Sequence, residues 1–205
     1  MKLFYARGAC ALASHIALEE AGATYEAVRV DVRGGEQRGP GYLAINPKGR
    51  VPALATAQGV ITETPAILAY IAQTHPQAGL APLDDPFAFA ELQAFNAYLC
   101  STVHPAHAHR HRGHRWADEE GSLADMRRKA PQVMGECFEL IEAQMFKGPW
   151  VMGEAYSIAD PYLFTICGWL EADEVDIARF PKVAEHAARM AERPAVRKVL
   201  AEEAA

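Results

Sequence analysis

The rhythm of apolar and polar positions changes partway along the chain. Residues 1–5 (M-K-L-F-Y) read as a strand. Residues 10–21 follow as a helix, with Leu12, Ile16 and Glu20 spaced at fours and Gly22 ending it. Residues 25–32 alternate into a second strand. A polar, glycine-rich loop, R-G-G-E-Q-R-G-P-G, leads to two short strands at 53–56 and 60–62, separated by Gln58-Gly59. A helix from Pro65 to about Thr74 closes this part, and residues 77–86, rich in proline, glycine and aspartate, read as a linker.

Beyond the linker the strand-like alternation stops. Asp85-Pro86 starts a helix whose apolar stripe is Leu92, Phe95, Leu99 and Val103. Ser122 with Asp125 starts another, running to about Phe146 through Val133, Cys137, Leu140 and Ile141. Ser157-Ile158-Ala159-Asp160 is a cap signature opening a very apolar helix to about Leu170, and Pro181 and Pro194 mark two last short helices. The order β-α-β-loop-β-β-α implies a small α/β domain of thioredoxin type. The expected fold class is therefore α/β plus all-α: a thioredoxin-like domain over 1–76, a linker over 77–86 and an all-helical domain over 87–205.

Composition narrows the class. At 205 residues the chain exceeds the usual single-domain size, and half of it is hydrophobic, ample for a full core. No apolar run is long enough to span a bilayer. The N-terminus, with Arg7 and a helix carrying polar residues, lacks a secretory apolar region, so a soluble cytoplasmic protein with no membrane partner is expected. Cys10, Cys100, Cys137 and Cys167 lie far apart, with neither metal-ligand nor disulfide spacing, as suits thiols in a reducing compartment. The formal charge of −6 argues against a nucleic-acid partner.

Two short stretches carry candidate chemistry. Val51-Pro52 places a proline just before a strand, where its missing N–H excludes it from most ladder positions. The reading is a tight bend, compatible with a cis peptide, that turns the Val51 backbone groups outward. Glu63-Thr64-Pro65 then opens a helix, with Thr64 suited to the N-cap and Pro65 to the first helical position. A helix start attracts a carboxylate, and Glu63 beside it can hold an ammonium group. Together they describe a site for a small peptide-like zwitterion. Cys10, where the first strand turns into the first helix, is expected to gain thiolate character from the helix dipole. With no cysteine at position 13, a dithiol cycle is excluded there, while a monothiol mixed disulfide stays open.

Five of the eight histidines fall in the run H-P-A-H-A-H-R-H-R-G-H-R-W. At helical spacing His104, His107, His111 and His114 share one face, with His109 on the other. His107 and His111 have the i, i+4 spacing of metal ligands, but no Cys, Asp or Glu is expected nearby to complete a closed site, so no metal is expected. A polar wall of a second-substrate pocket, a subunit contact or a solvated His/Arg face fits the run instead.

The pattern N-P-x-G-x-V-P-x-L followed by T-E-[ST]-x-A-I resembles the glutathione-binding half of the cytosolic glutathione transferases. The resemblance implies that Val51, with Pro52, pairs with the cysteinyl part of glutathione. It also implies that Glu63 and Thr64 bind the γ-glutamyl end. F-Y-x-x-G-x-C-x-L-x-x-H-I, matched by Phe4, Tyr5, Gly8, Cys10, Leu12, His15 and Ile16, is similar to the bacterial beta class. That likeness implies Cys10 and His104 as the catalytic pair, His104 approaching the glutathione thiol as hydrogen-bond donor or as acid/base near neutral pH. Tyr5 ranks behind them as a site residue with a packing role, and His107 and His111 are assigned to the second substrate. The segment W-V-M-G-E-A-Y-S-I-A-D-P-Y-L-F resembles the family's buried capping motif, which makes Ser157 and Asp160 structural.

The chain departs from the beta-class pattern in places. Gly34-Gly35 and Pro105 stand where relatives carry lysines, Ala11 where many carry serine, and Ala97, beside Asn96, where they carry asparagine. Arg38, Lys48 or Arg50 is left to meet the glycyl carboxylate. The implied function is glutathione conjugation to a small electrophile, a detoxification activity, with glutathione as co-substrate and a homodimeric assembly. Two alternatives stay open: a glutathione-dependent thiol-disulfide or peroxide reductase acting through Cys10, and a non-catalytic glutathione-binding or interaction module.

Overall fold

A computed structural model describes residues 1–205. Its first part holds β1 (Lys2–Tyr5), α1 (Ala11–Glu20), β2 (Glu26–Arg29), α2 (Pro40–Leu43), β3 (Ala53–Thr56), β4 (Gly59–Thr62) and α3 (Thr64–Thr74). The four strands form one sheet in the order β2-β1-β3-β4, with β1 parallel to β2 and antiparallel to β3, and β3 antiparallel to β4. The thioredoxin-like order read from the pattern is present. Two details differ. The second strand is shorter than its alternation suggested, and the glycine-rich loop contains a 3-10 turn over Glu36–Arg38 and the short helix α2, which Pro40 starts.

The second part is helical: α4 (Pro86–Tyr98), α5 (His104–Arg112), α6 (Glu120–Leu140), α7 (Ala159–Cys167), α8 (Pro181–Glu192) and α9 (Pro194–Ala204). Asp85 caps α4 as expected, its carboxylate accepting from the N–H groups of Phe87 and Ala88, both at 3.0 Å. The stripe Leu92, Phe95, Leu99 and Val103 is buried. Helix α6 begins at Glu120, before Ser122, because the extended backbone of Glu119 supplies the cap position without a side-chain bond. Helix α7 ends at Cys167 and gives way to turns. No helix is long and apolar enough to cross a membrane.

Helix α1 joins the two parts. It is buried on nearly every face from Ala11 to Leu18, since it packs on α3 on one side and on α7 and α9 on the other. One core cluster runs through both parts, from Leu3, Leu54 and Ile67 to Leu92, Phe138 and Tyr162. A smaller cluster of Leu12, Ile16, Met190, Val196 and Val199 fastens α1 to the C-terminal helices. The capping segment behaves as the resemblance implied. The fully buried Asp160 carboxylate accepts from Val151 N–H (2.8 Å), Ser157 N–H (2.7 Å), the Ser157 hydroxyl (3.1 Å) and the His186 ring (3.0 Å). A buried carboxylate met by so many donors is structural.

Candidate active site

A cleft opens between the two parts. Cys10 at the start of α1, Val51-Pro52 before β3, and Glu63-Thr64 at the start of α3 form its floor. His104, Pro105 and Ala108 of α5 face them, with Arg115, Trp116, Cys100 and Tyr162 completing the walls. Cys10, Arg50, Val51, Pro52, Glu63, Thr64 and His104, far apart in sequence, therefore share one space.

The bend is held from behind. The Arg50 carbonyl accepts from the Tyr42 hydroxyl (2.8 Å) and from Asn46 Nδ2 (2.6 Å), and Asn46 Oδ1 accepts the Lys48 N–H (3.1 Å). The Val51-Pro52 peptide is cis. The Val51 carbonyl accepts the Cys10 thiol at 3.6 Å, so it serves the protein, while the Val51 N–H makes no bond within the chain.

The start of α3 differs from the sequence expectation. Thr64 is not the N-cap but the first helical residue, and Glu63 takes the cap position at φ 75°, ψ 124°. Pro65 shifts accordingly to the second position. Positive φ at a non-glycine residue costs about 1–3 kcal/mol and tends to gather at functional sites. Here it lifts the Glu63 side chain away from the helix, where it makes no capping bond. The Thr64 and Ala66 N–H groups are left without partners in the chain, an anion seat at the positive end of α3. Glu63 already holds an ammonium group: Lys48 Nζ pairs with its carboxylate and donates to the Thr62 hydroxyl at 2.7 Å. Lys48 is thus engaged at the start of α3.

The expected ionisation of Cys10 is overturned. Its thiol is buried, and burial pushes its pKa up from the ordinary value, an effect the Thr64 hydroxyl and the Arg112 charge offset only in part. Magnitudes explain why: a helix end contributes about 0.3–1 kcal/mol, under one pKa unit, whereas full burial moves a pKa by as much as 3–5 units. Cys10 is a thiol at neutral pH.

His104 owes its position to a break in the helix. Pro105 has no N–H to continue the ladder, and the chain passes through a π turn over Leu99–Val103, with the His104 N–H bonding to the Leu99 carbonyl. Its ring lies 4.8 Å from Trp169, edge to face. Burial first, then the charges of Arg112, His107, Arg50 and Arg115, lowers its pKa to about 3. Acid/base exchange near neutral pH is therefore removed from its possible roles; a neutral donor remains. Arg112 donates to His104 Nε2 at 3.4 Å, which leaves the ring proton on Nδ1.

The rest of the histidine run divides. His107 borders a second opening of the cleft with Cys10, His104 and Trp169, its ring stacked 4.5 Å from that indole. His111 borders neither opening itself; its ring lies 4.6 Å from that of His107. The expectation that no Cys, Asp or Glu lies near this pair is corrected: His107 Nδ1 meets Asp173 Oδ2 at 2.8 Å, and His111 Nε2 meets Oδ1 at 3.1 Å, so the three offer ligand atoms within 4.8 Å of one another. Asp173 is fully buried and lies in the turns after α7, beyond the reach of local spacing. Tyr5 has the packing role expected of it. It is buried, packs 5.2 Å from the His15 ring and does not line the cleft, and burial raises its hydroxyl pKa.

Several cleft residues escaped the sequence reading: Arg112, Arg115, Trp116, Tyr162 and Asn46. The arginines were visible inside the histidine run, where the spacing that placed His104 also places Arg112 two turns later.

Comparison with known proteins agrees with this geometry. Residues 1–73 match the family model "Glutathione S-transferase, N-terminal domain", and residues 110–201 match "Glutathione S-transferase, C-terminal domain". The chain is 34% identical over 209 residues to glutathione S-transferase GstA of Escherichia coli O157:H7, covering 99% of this chain and 98% of that protein. A glutathione transferase homologue from Sulfitobacter, solved with bound glutathione, is 45% identical with a TM-score of 0.95, over 98% of this chain and 97% of the other. A beta-class enzyme of Sphingomonas chungbukensis is 34% identical with a TM-score of 0.87, over 99% of this chain and 98% of the other. With both family models matched and relatives aligned nearly end to end, this chain belongs to the cytosolic glutathione transferase family.

Proposed function

We propose that this chain is a glutathione transferase, joining the sulfur of its co-substrate glutathione to a small electrophile. The observation that carries the reading is the convergence of an ammonium seat, an anion seat and a neutral imidazole donor on one cleft. The γ-glutamyl ammonium takes the Glu63 carboxylate in exchange for Lys48, and its carboxylate takes the Thr64 hydroxyl and the free N–H groups of α3. The cysteinyl amide meets the Val51 N–H, and the glycyl carboxylate meets Arg50. His104 Nδ1–H donates to the glutathione sulfur, and the nearby guanidinium charges favour its thiolate. Catalysis is then thiolate stabilisation plus proximity, and no metal takes part.

Reduction through Cys10 is the second reading, because its sulfur borders the same cleft. The buried, protonated thiol favours conjugation. The domain division at 76 and 87, the homodimer, the cytoplasmic location and a detoxifying role belong to the same proposal. The test is retention on immobilised glutathione together with turnover of 1-chloro-2,4-dinitrobenzene. A protein that does neither is not a transferase.

A further inference from the structure

We propose that the electrophile carries a carboxylate or comparable anionic group, an inference that rests on the transferase reading above. Arg38, Arg50, Arg112 and Arg115 gather along the cleft and the groove leading out of it. None of the four takes part in an ion pair, although the chain carries 26 acidic residues against 20 lysines and arginines. The one carboxylate on these walls is Glu63, and Lys48 holds it. A net-negative protein has therefore collected positive charge in the one place where its reaction occurs. The arginines also feel one another: after burial, the charges of Arg112, Arg50 and Arg38 are what lower the Arg115 pKa.

Glutathione accounts for part of this charge. Its glycyl carboxylate belongs at the outer end, beside Arg50 and Arg38. Arg112 shares an opening with Arg50 and Arg115, but it lies on α5, and the same opening is lined by Cys10, His104, His107 and Trp169, where the sulfur must meet its second substrate. It is half-buried, and its one polar contact is the 3.4 Å bond to His104. The buried Asp173 charge acts on it only from beyond hydrogen-bond reach, and a guanidinium drawn partly out of water with no carboxylate bonded to it is unfavourable unless a ligand brings one. Arg115 and Trp116 border the same space from the end of the helix run. The exposed Trp116 ring, stacked 4.4 Å from His109, suits the flat body of an aromatic or conjugated electrophile, with the arginines receiving its anionic substituent.

The chemistry balances without further reagents. The glutathione thiol gives its proton to water, a carbon–sulfur bond forms, and from an aryl halide the halide leaves with the carbon–halogen electron pair. The arginines hold the substituent and exchange no proton.

The test compares 4-chloro-3,5-dinitrobenzoate with its neutral methyl ester, each enzymatic kcat/KM divided by the uncatalysed rate with glutathione. The corrected ratio is expected to favour the carboxylate roughly tenfold, the worth of one charge-assisted hydrogen bond. It should fall toward one in Arg112→Gln or, should that variant fail to fold, in Arg115→Gln. Added salt should shrink it in the wild-type protein. A wild-type ratio at or below one, with the ester still turned over, overturns the proposal and leaves the transferase standing. So does an Arg112→Gln variant that raises the glutathione KM and leaves the ratio untouched. Absence of any turnover, of ester, acid or 1-chloro-2,4-dinitrobenzene, would instead defeat the transferase reading itself.

Discussion

Arg112 meets His104 at the acceptor nitrogen Nε2, 3.4 Å away. A guanidinium only donates, so the contact requires an imidazole with a free lone pair. Burial acts in the same direction and with greater weight, and the ring is neutral down to a pKa of about 3.

The first prediction follows from that neutrality. The pH profile of kcat/KM should show no histidine step between about pH 5 and 8. His104→Ala should lower kcat/KM roughly tenfold, the worth of one hydrogen bond to a charged sulfur. Folding stability carries the same signature. Below the ordinary pKa of 6.5 the unfolded chain binds a proton at His104 that the folded chain refuses. This contribution is present above that value and is lost as pH falls toward 3. Urea midpoints of His104→Gln should therefore decline less from neutral to acid pH than those of the wild type. Parallel declines would show that the ring titrates freely.

Lys48 offers a second prediction. Its ammonium occupies the Glu63 carboxylate with side chains that are 45% and 60% exposed. Such a pair is worth about 0–1 kcal/mol, so glutathione displaces it with little loss. Lys48→Met should lower the glutathione KM up to roughly fivefold, and Glu63→Gln should raise it about tenfold or more. A higher KM in Lys48→Met would put Lys48 on a glutathione carboxylate instead.

What the sequence revealed and what it concealed have physical reasons. Val51-Pro52 and Glu63-Thr64 were legible because a proline before a strand and a helix start are local events. Asp85 and Asp160 were legible for the same reason, since their donors lie within a few residues or in a recognisable motif. Asp173 was not, because its two partners lie on another helix, 66 and 62 residues away. The Cys10 ionisation was misread because a dipole can be inferred from position in the chain, whereas burial depends on what packs above it. Thr64 was placed one position wrong because an N-cap residue is chosen by backbone φ, and nothing in Glu63-Thr64 announces a positive value at Glu63.

Cys10 gives the third prediction. As a buried thiol it should react slowly with iodoacetamide at neutral pH and faster only above its ordinary pKa of 9.0, since burial raises its pKa. Its protonated form is the one folding favours, so its contribution to stability is present below that value and lost as pH rises through the higher folded one. Cys10→Ala should change conjugation less than threefold, by the reasoning that the thiol donates to Val51 and not to glutathione. It should abolish any reduction of glutathione mixed disulfides. Rapid alkylation at neutral pH, or a large loss of conjugation, would return Cys10 to the nucleophile's role.

The last prediction concerns Asp173, which ties α5 to the turn before Cys10. Its buried carboxylate accepts from His107 at 2.8 Å and His111 at 3.1 Å. His107 stacks on Trp169, and the Trp169 indole donates to the Gly8 carbonyl at 3.0 Å, in the turn that delivers Cys10. A buried donor left without its acceptor costs about 1–3 kcal/mol, so Asp173→Ala should shift the urea midpoint downward. Asp173→Asn keeps an acceptor for one imidazole and should cost less. A purely structural Asp173 would act on stability alone. Because His107 and Trp169 also pack against His104, with ring centroids at 6.5 and 4.8 Å, Asp173→Asn should also lower kcat under conditions where it is fully folded, and shift Trp169 fluorescence. Unchanged kcat in a folded, destabilised variant would confine Asp173 to the scaffold, and an unchanged urea midpoint would remove it from both roles.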